Sequence, residues 1–166
     1  AKAEWKARKR SDRPRILIGA ATCGQAAGAS IVLETMSTEL ARHNISASIT
    51  QVGCIGLCYA EPLVTIAKPN QPAIFYGNVT PKITLRLIED YIVNDNPRPD
   101  LALGTIGNDE FKDIPKLFKL PMLKSQVRVA LRNSGIIDPE NINHYIANDG
   151  YHGLSKALAM TPRQVI

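Results

Sequence analysis

A chain of 166 residues, 45% hydrophobic and 21% charged, has room for one ordinary domain or one small domain with an attached segment, and its composition excludes a disordered or fibrous polypeptide. No apolar run approaches the roughly 20 residues that span a bilayer, so a soluble protein without a transmembrane segment is expected. The net charge of +5 is confined to one end: residues 1–15, AKAEWKARKRSDRPR, carry seven Lys or Arg against two Asp or Glu, and the rest of the chain is neutral.

The charge therefore describes a basic arm over residues 1–14 ahead of a neutral body. The body has no basic stripe with interleaved aromatics of the kind that grips a phosphate backbone, so nucleic acid is not an expected partner. The arm is expected to be a solvated, flexible tail that lies on a partner subunit, with Trp5 as its anchor on a neighbour. The three cysteines, Cys23, Cys54 and Cys58, are an odd number in a chain that opens with no apolar signal stretch. A reducing, cytoplasmic compartment is expected, where clustered cysteines point to metal or redox chemistry rather than to a structural disulfide.

RILIGAAT (15–22) is a short apolar run after a proline and predicts a buried strand. From Gln25 to Asn44 the residues Ala29, Leu33, Met36 and Leu40 recur at helical spacing, with Glu34 and Glu39 facing away. SASITQVGC (46–54) alternates like a half-buried strand. LVTIAKP (63–69) and AIFYGNVT (73–80), separated by the turn NQP, predict an antiparallel hairpin. Thr80 and Pro81 then supply an N-cap and first-turn proline for a helix through Ile83, Leu87, Ile88, Tyr91 and Ile92.

The order strand, helix, strand, strand, strand, helix predicts an α/β, two-layer domain of thioredoxin-like type over residues 15–94. Residues 95–124, rich in Pro, Asp, Asn and Gly, are expected to be a linker. Order is expected to resume with a strand-like run, QVRVALRNSG. A small helical segment follows: one helix capped by Asp138 and Pro139 with an apolar face of Ile142, Tyr145 and Ile146 and a stop at Gly150, and another from Tyr151 to Met160. Thr161 and Pro162 open a further helix that reaches only one turn by Ile166, and more protein is expected to follow.

The chemistry concentrates in QVGCIGLCYAEP (51–62). A Cys-x3-Cys pair at the end of a strand, flanked by glycines, lets backbone amides approach a sulfur-rich anion. Iron–sulfur clusters need thiolates and are tuned by such contacts. Zinc is a competing reading, but a closed structural zinc site takes four ligands, and His43, His144 and His152 show no spacing that completes one. Cys23 follows the first strand in AATCGQAAGAS. With the first two strands side by side, all three cysteines converge on one sheet edge, although a lone cysteine after a strand is by itself ordinary packing.

The stretches VGCIGLCYAEPLVTI, TCGQAAGAS and FYGNVTPKI resemble the thioredoxin-like [2Fe-2S] ferredoxin domain of NADH-oxidising enzymes related to respiratory complex I. VRVALRNSGIIDPENINHYIANDGYHGLSKALAMTPRQVI is similar to the lead-in to the flavin- and NADH-binding core of the diaphorase subunit of electron-bifurcating hydrogenases and NAD-dependent formate dehydrogenases. The resemblance implies that residues 125–166 begin that second domain, with FMN, NAD(H) and a [4Fe-4S] centre belonging to its continuation. It also implies an electron-transfer role inside a multi-subunit NAD(P)H-dependent oxidoreductase, with other subunits as partners and no hydride-transfer site within these 166 residues.

In that family the cluster takes four cysteines, as Cys-x4-Cys and Cys-x3-Cys. Cys23, Cys54 and Cys58 match three of them, and the first position falls on Ile18, which cannot ligate iron. Three outcomes remain open: a cluster with a non-cysteine fourth ligand, for which Thr22 is the nearest oxygen donor in sequence; a cofactor-free module that docks subunits; or a Cys54–Cys58 thiol pair without the Cys-x-x-Cys helix start that activates such pairs. Elsewhere, GTIGND (104–109) lacks the strand and helix context of a phosphate loop. Asp109, Glu110 and Asp113 are expected to be solvated linker charges, and His144 and His152 surface groups.

Overall fold

The computed structural model describes residues 1–107, 111 and 113–166. Helix α1 (Lys2–Lys9) is followed by strand β1 (Arg15–Gly19), helices α2 (Thr22–Ala26) and α3 (Ala29–Arg42), and strand β2 (Ser48–Val52). A 3-10 turn at Cys58–Ala60 leads into strands β3 (Val64–Ala67) and β4 (Ala73–Tyr76). Helix α4 (Pro81–Arg86) runs on as a π-helical stretch, Leu87–Val93, and strand β5 (Ala102–Ile106) follows. The chain closes with a 3-10 turn at Leu117–Lys119 and three short helices, α5 (Ile142–Ala147), α6 (His152–Leu158) and α7 (Pro162–Val165).

The strands form one mixed sheet in the order β2-β1-β3-β4-β5. β1 and β2 are parallel, with Ile18 opposite Gln51 and Gly19 opposite Val52, while the remaining pairs are antiparallel. A strand-helix-strand unit followed by a hairpin and a helix, with β1 between β2 and β3, is a thioredoxin-like α/β arrangement. Alternation along the strands divides the core between the two faces. Ile16, Ile18, Val64, Ile66, Ile74 and Tyr76 pack with Val32, Met36 and Leu40 of α3 and with Leu87, Ile88 and Tyr91. Phe75 points the other way, to Ile55, Leu57, Leu63, Leu117 and Leu123.

The expected helix from Gln25 is two helices. Gly28, at φ +101°, breaks it and begins α3, whose innermost residues are Ala29, Val32, Met36 and Leu40, with Leu33 only partly covered. Thr80 caps α4 as its sequence suggests, accepting the Ile83 N–H at 3.3 Å.

Three expectations are corrected. Residues 95–124 are not simply a linker: β5 pairs along β4, and Leu117 and Leu123 are buried on the second face of the sheet. The composition hid this strand because its register needs a glycine. A Cβ on Gly104 would stand 2.7 Å from the Leu117 backbone. The run at 126–135 is turns rather than a strand; without a partner edge its alternating Val127, Val129 and Leu131 stay exposed. The basic arm is ordered as α1: Trp5 meets His144 edge-on at 4.8 Å, Arg8 donates to Thr50 of β2, and Lys2 pairs with Asp149 at 3.0 Å.

The small helices form near their expected places with shifted caps. Asn141, not Asp138, caps α5 by accepting the Asn143 and His144 N–H groups, while Asp138 holds a turn through the Glu140 N–H. Gly150 closes α5 by donating to the Tyr145 carbonyl at 2.8 Å. Thr161 and Gln164 make a reciprocal capping box at α7. Of the linker charges, Asp109 and Glu110 lie outside the described residues, and Asp113 is exposed.

Candidate metal centre

Because β1 and β2 are parallel neighbours in register, their C-terminal ends open side by side at Gly19 and Val52. From the first, the chain turns directly into α2, whose first turn carries Cys23. From the second, it enters the loop that carries Cys54 and ends in the 3-10 turn begun by Cys58. This topology brings together three side chains that are 31 and 35 residues apart in the chain: the three Sγ atoms lie within 4.8 Å of one another. Cys54 and Cys58 are 3.7 Å apart.

That separation is informative. Thiolates about 2.3 Å from a common tetrahedral metal stand about 3.8 Å apart, so Cys54 and Cys58 already span one coordination edge. Gly56, at φ +93° with open space around it, turns its N–H onto Cys54 Sγ at 3.2 Å. Such a contact favours the thiolate. Burial acts the other way and is the stronger effect, reinforced by the neighbouring Cys23 and Cys58 thiols, so the Cys54 thiol is pushed up to about 12. The arrangement therefore groups three sulfurs that could serve as ligands of one cation, whose binding would draw their protons off.

Hydrophobic packing holds the loop from behind. Ile55 and Leu57 are buried against Phe75, Leu117 and Leu123. From the outside, Arg128 donates to the Ile55 carbonyl at 3.0 Å, and Gly135 lies so close that a Cβ there would stand 2.3 Å from Ile55 Cγ2. Cys58 and Tyr59 remain exposed.

Ile18 is wholly buried in the main core, facing α3 with Ile16. Thr22 is exposed at the start of α2. The oxygen that approaches the sulfurs belongs instead to Glu61, which the sequence reading passed over. Its Oε1 is 3.9 Å from Cys23 Sγ, and its Oε2 accepts the Leu63 N–H at 2.7 Å. The signal available in sequence was an acidic residue three positions after Cys58, inside an otherwise apolar stretch. No histidine joins the group. His43 faces Glu39 at 3.2 Å, His152 is exposed, and His144 is half-buried between Arg8, Trp5 and the Asp138 N–H.

The NADP-reducing hydrogenase subunit HndB of Solidesulfovibrio fructosivorans is 30% identical to this chain over 89 residues, which cover 53% of this chain and 71% of HndB. The chain belongs to the HndB family. A shorter, stronger match, 58% identical over 43 residues, is to the NADP-reducing hydrogenase subunit HndC of the same organism; it covers 26% of this chain and only 9% of HndC. No protein-family model matches. Among solved structures, two of the thioredoxin-like [2Fe-2S] ferredoxin from Aquifex aeolicus are similar to this HndB-family chain. One has a TM-score of 0.49 at 14% identity, covering 61% of this chain and 99% of the ferredoxin; the other, a crystal structure at 1.5 Å, has a TM-score of 0.48 at 16% identity, covering 57% and 99%. Among the described residues, no helix is long and apolar enough to cross a membrane.

Proposed function

We propose that this HndB-family chain is an electron-transfer part of a multi-subunit NAD(P)H-linked oxidoreductase, and that Cys23, Cys54 and Cys58 hold a [2Fe-2S] cluster. The observation that carries this reading is the convergence of three sulfurs from two strand ends to within 4.8 Å. The relatives' names, subunits of an NADP-reducing hydrogenase, supply the class of complex. Bound at this site, the cluster would supply one-electron transfer beside a flavin that handles two.

The chain's own residues set the conditions for that transfer. The thiolates would hold the metal, the Gly56 N–H donates to Cys54 Sγ, and Ile55 and Leu57 keep water from the inner side of the loop. Exposed Cys58 and Tyr59 mark the side on which a partner subunit would receive or deliver an electron. Hydride chemistry, with FMN and NAD(H), and any [4Fe-4S] centre are proposed to lie in polypeptide outside these 166 residues.

Anaerobic reconstitution of the full chain with ferrous iron and sulfide tests this reading. About two iron and two sulfide per chain are expected, with a reduced S = 1/2 EPR signal. A colourless chain without iron would leave a cofactor-free module for docking subunits and overturn the relay.

A further inference from the structure

Among the described residues Glu61 is the single charged side chain that is buried, at 6% exposure. Among those residues no ion pair reaches its carboxylate, whose protein contacts are the Leu63 N–H and the Cys23 thiol. A carboxylate removed from water without a cation is costly, and buried charges in proteins are paired or bind metal. The space it occupies is also made for it. A Cβ on Gly19 would stand 2.7 and 3.0 Å from its two oxygens, and one on Gly24 would stand 3.3 Å from Oε2. Two glycines therefore leave open the pocket that the carboxylate fills, at the end of β1 where Cys23 also enters.

Each donor has a second donor in contact with it. Cys54 and Cys58 are 3.7 Å apart, and Cys23 Sγ and Glu61 Oε1 are 3.9 Å apart. A sulfur and an oxygen at about 2.3 and 2.0 Å from one tetrahedral metal stand about 3.5 Å apart, and two sulfurs about 3.8 Å. Glu61 is thus the donor beside Cys23 as Cys58 is the donor beside Cys54, each separation close to one coordination edge. A carboxylate also conserves the negative charge that a fourth thiolate would bring.

We propose that Glu61 is the fourth protein ligand of the cluster, sharing one iron with Cys23 while Cys54 and Cys58 share the other; this rests on the cluster reading above. The missing thiolate is then not replaced at position 18. Strand alternation turns residue 18 into the core, whereas the space on the side-chain side of Gly19 is where the carboxylate lies.

The test compares wild type with Glu61→Gln, Glu61→Cys and Ile18→Cys, each the full chain reconstituted anaerobically with ferrous iron and sulfide. Glu61→Gln keeps the acceptor for the Leu63 N–H, and circular dichroism checks its fold. Expected results are a fall in iron content of at least threefold in Glu61→Gln, full loading with a shifted EPR spectrum in Glu61→Cys, and a wild-type spectrum in Ile18→Cys. Mössbauer spectra of the oxidised wild type are expected to show two inequivalent ferric sites, a readout that needs no variant. Equivalent irons, or a Glu61→Gln spectrum identical to wild type at full loading, would overturn the ligand assignment and leave the cluster reading standing. A wild type that loads no iron, or that takes up only zinc, overturns both.

Discussion

Gly24 offers a sharp test of how the first strand end carries Cys23 to the site. An alanine Cβ at position 24 would stand 2.2 Å from the Gly19 carbonyl oxygen and 2.9 Å from its carbon. Both are backbone atoms at the end of a strand paired on both sides, so no rotamer change relieves the clash. Reaching even 3.0 Å, the lower limit for real Cβ contacts, requires β1 and α2 to part by about 0.8 Å, and Cys23 moves with α2. Overpacking of this kind costs about 1–3 kcal/mol, and the upper end applies because backbone meets backbone. Against it stands the helix-propensity gain of at most about 1 kcal/mol. A net loss of about 2 kcal/mol lowers the melting temperature of a chain of this size by about 4–8 °C. Gly153→Ala in α6 is the control, since nothing lies within 4 Å of its added methyl, and it is expected to be neutral or to raise the melting temperature slightly. Calorimetry of both metal-free variants, with iron content after reconstitution, gives the comparison. If Gly24→Ala melts within 2 °C of wild type and loads iron normally, the close seating of Cys23 against β1 is wrong.

Burial and the adjacent Arg8 guanidinium hold the His144 imidazole below its ordinary 6.5. The unfolded chain therefore takes up that proton first as pH falls, and the stabilisation present above 6.5 is lost as pH drops through the depressed value. Trp5, the single tryptophan, meets His144 edge-on, so its fluorescence is expected to titrate with a midpoint below 6.5; a midpoint above 6.5 would refute the docking of α1 on α5. With the Cys54 thiol pushed up to about 12, the stabilisation it gives the metal-free protein is present below its ordinary 9.0 and lost as pH rises toward 12. At pH 8 it is expected to react with iodoacetamide more slowly than exposed Cys58, a difference that peptide mass spectrometry reads. Leu57→Ala removes a wholly buried side chain behind the cysteine loop and is expected to cost about 2–5 kcal/mol, measured by urea unfolding of the metal-free protein.

The strands that read clearly in sequence are those in which local pattern and tertiary demand agree. β1 is a short apolar run, β2 alternates, and the 63–80 hairpin has its turn residues in place, with Asn70 in the left-handed region that the turn needs. Where pattern and partner part company, sequence misleads in both directions. Val127, Val129 and Leu131 alternate as a strand does but find no edge to pair with. β5 carries a glycine and sits among prolines, yet it joins the sheet because β4 offers a free edge and Gly104 lets Leu117 close over it. A strand is a property of two segments, and one segment's composition reports only half of it.

The same limit explains the cysteine cluster. Three cysteines at a strand end are visible as residue types, and parallel pairing of β1 with β2 is enough to bring them together. Glu61 carries no such mark, because in sequence it is one acidic residue in a turn before a proline. What distinguishes it is that Gly19 and Gly24, 42 and 37 positions earlier, leave their side-chain space empty for its carboxylate, and that no cation covers it among the described residues. Glycine before a turn reads as backbone freedom, yet neither of these two residues has a positive φ. Their lack of a Cβ serves the space above them, which turns a buried carboxylate toward Cys23 rather than toward solvent.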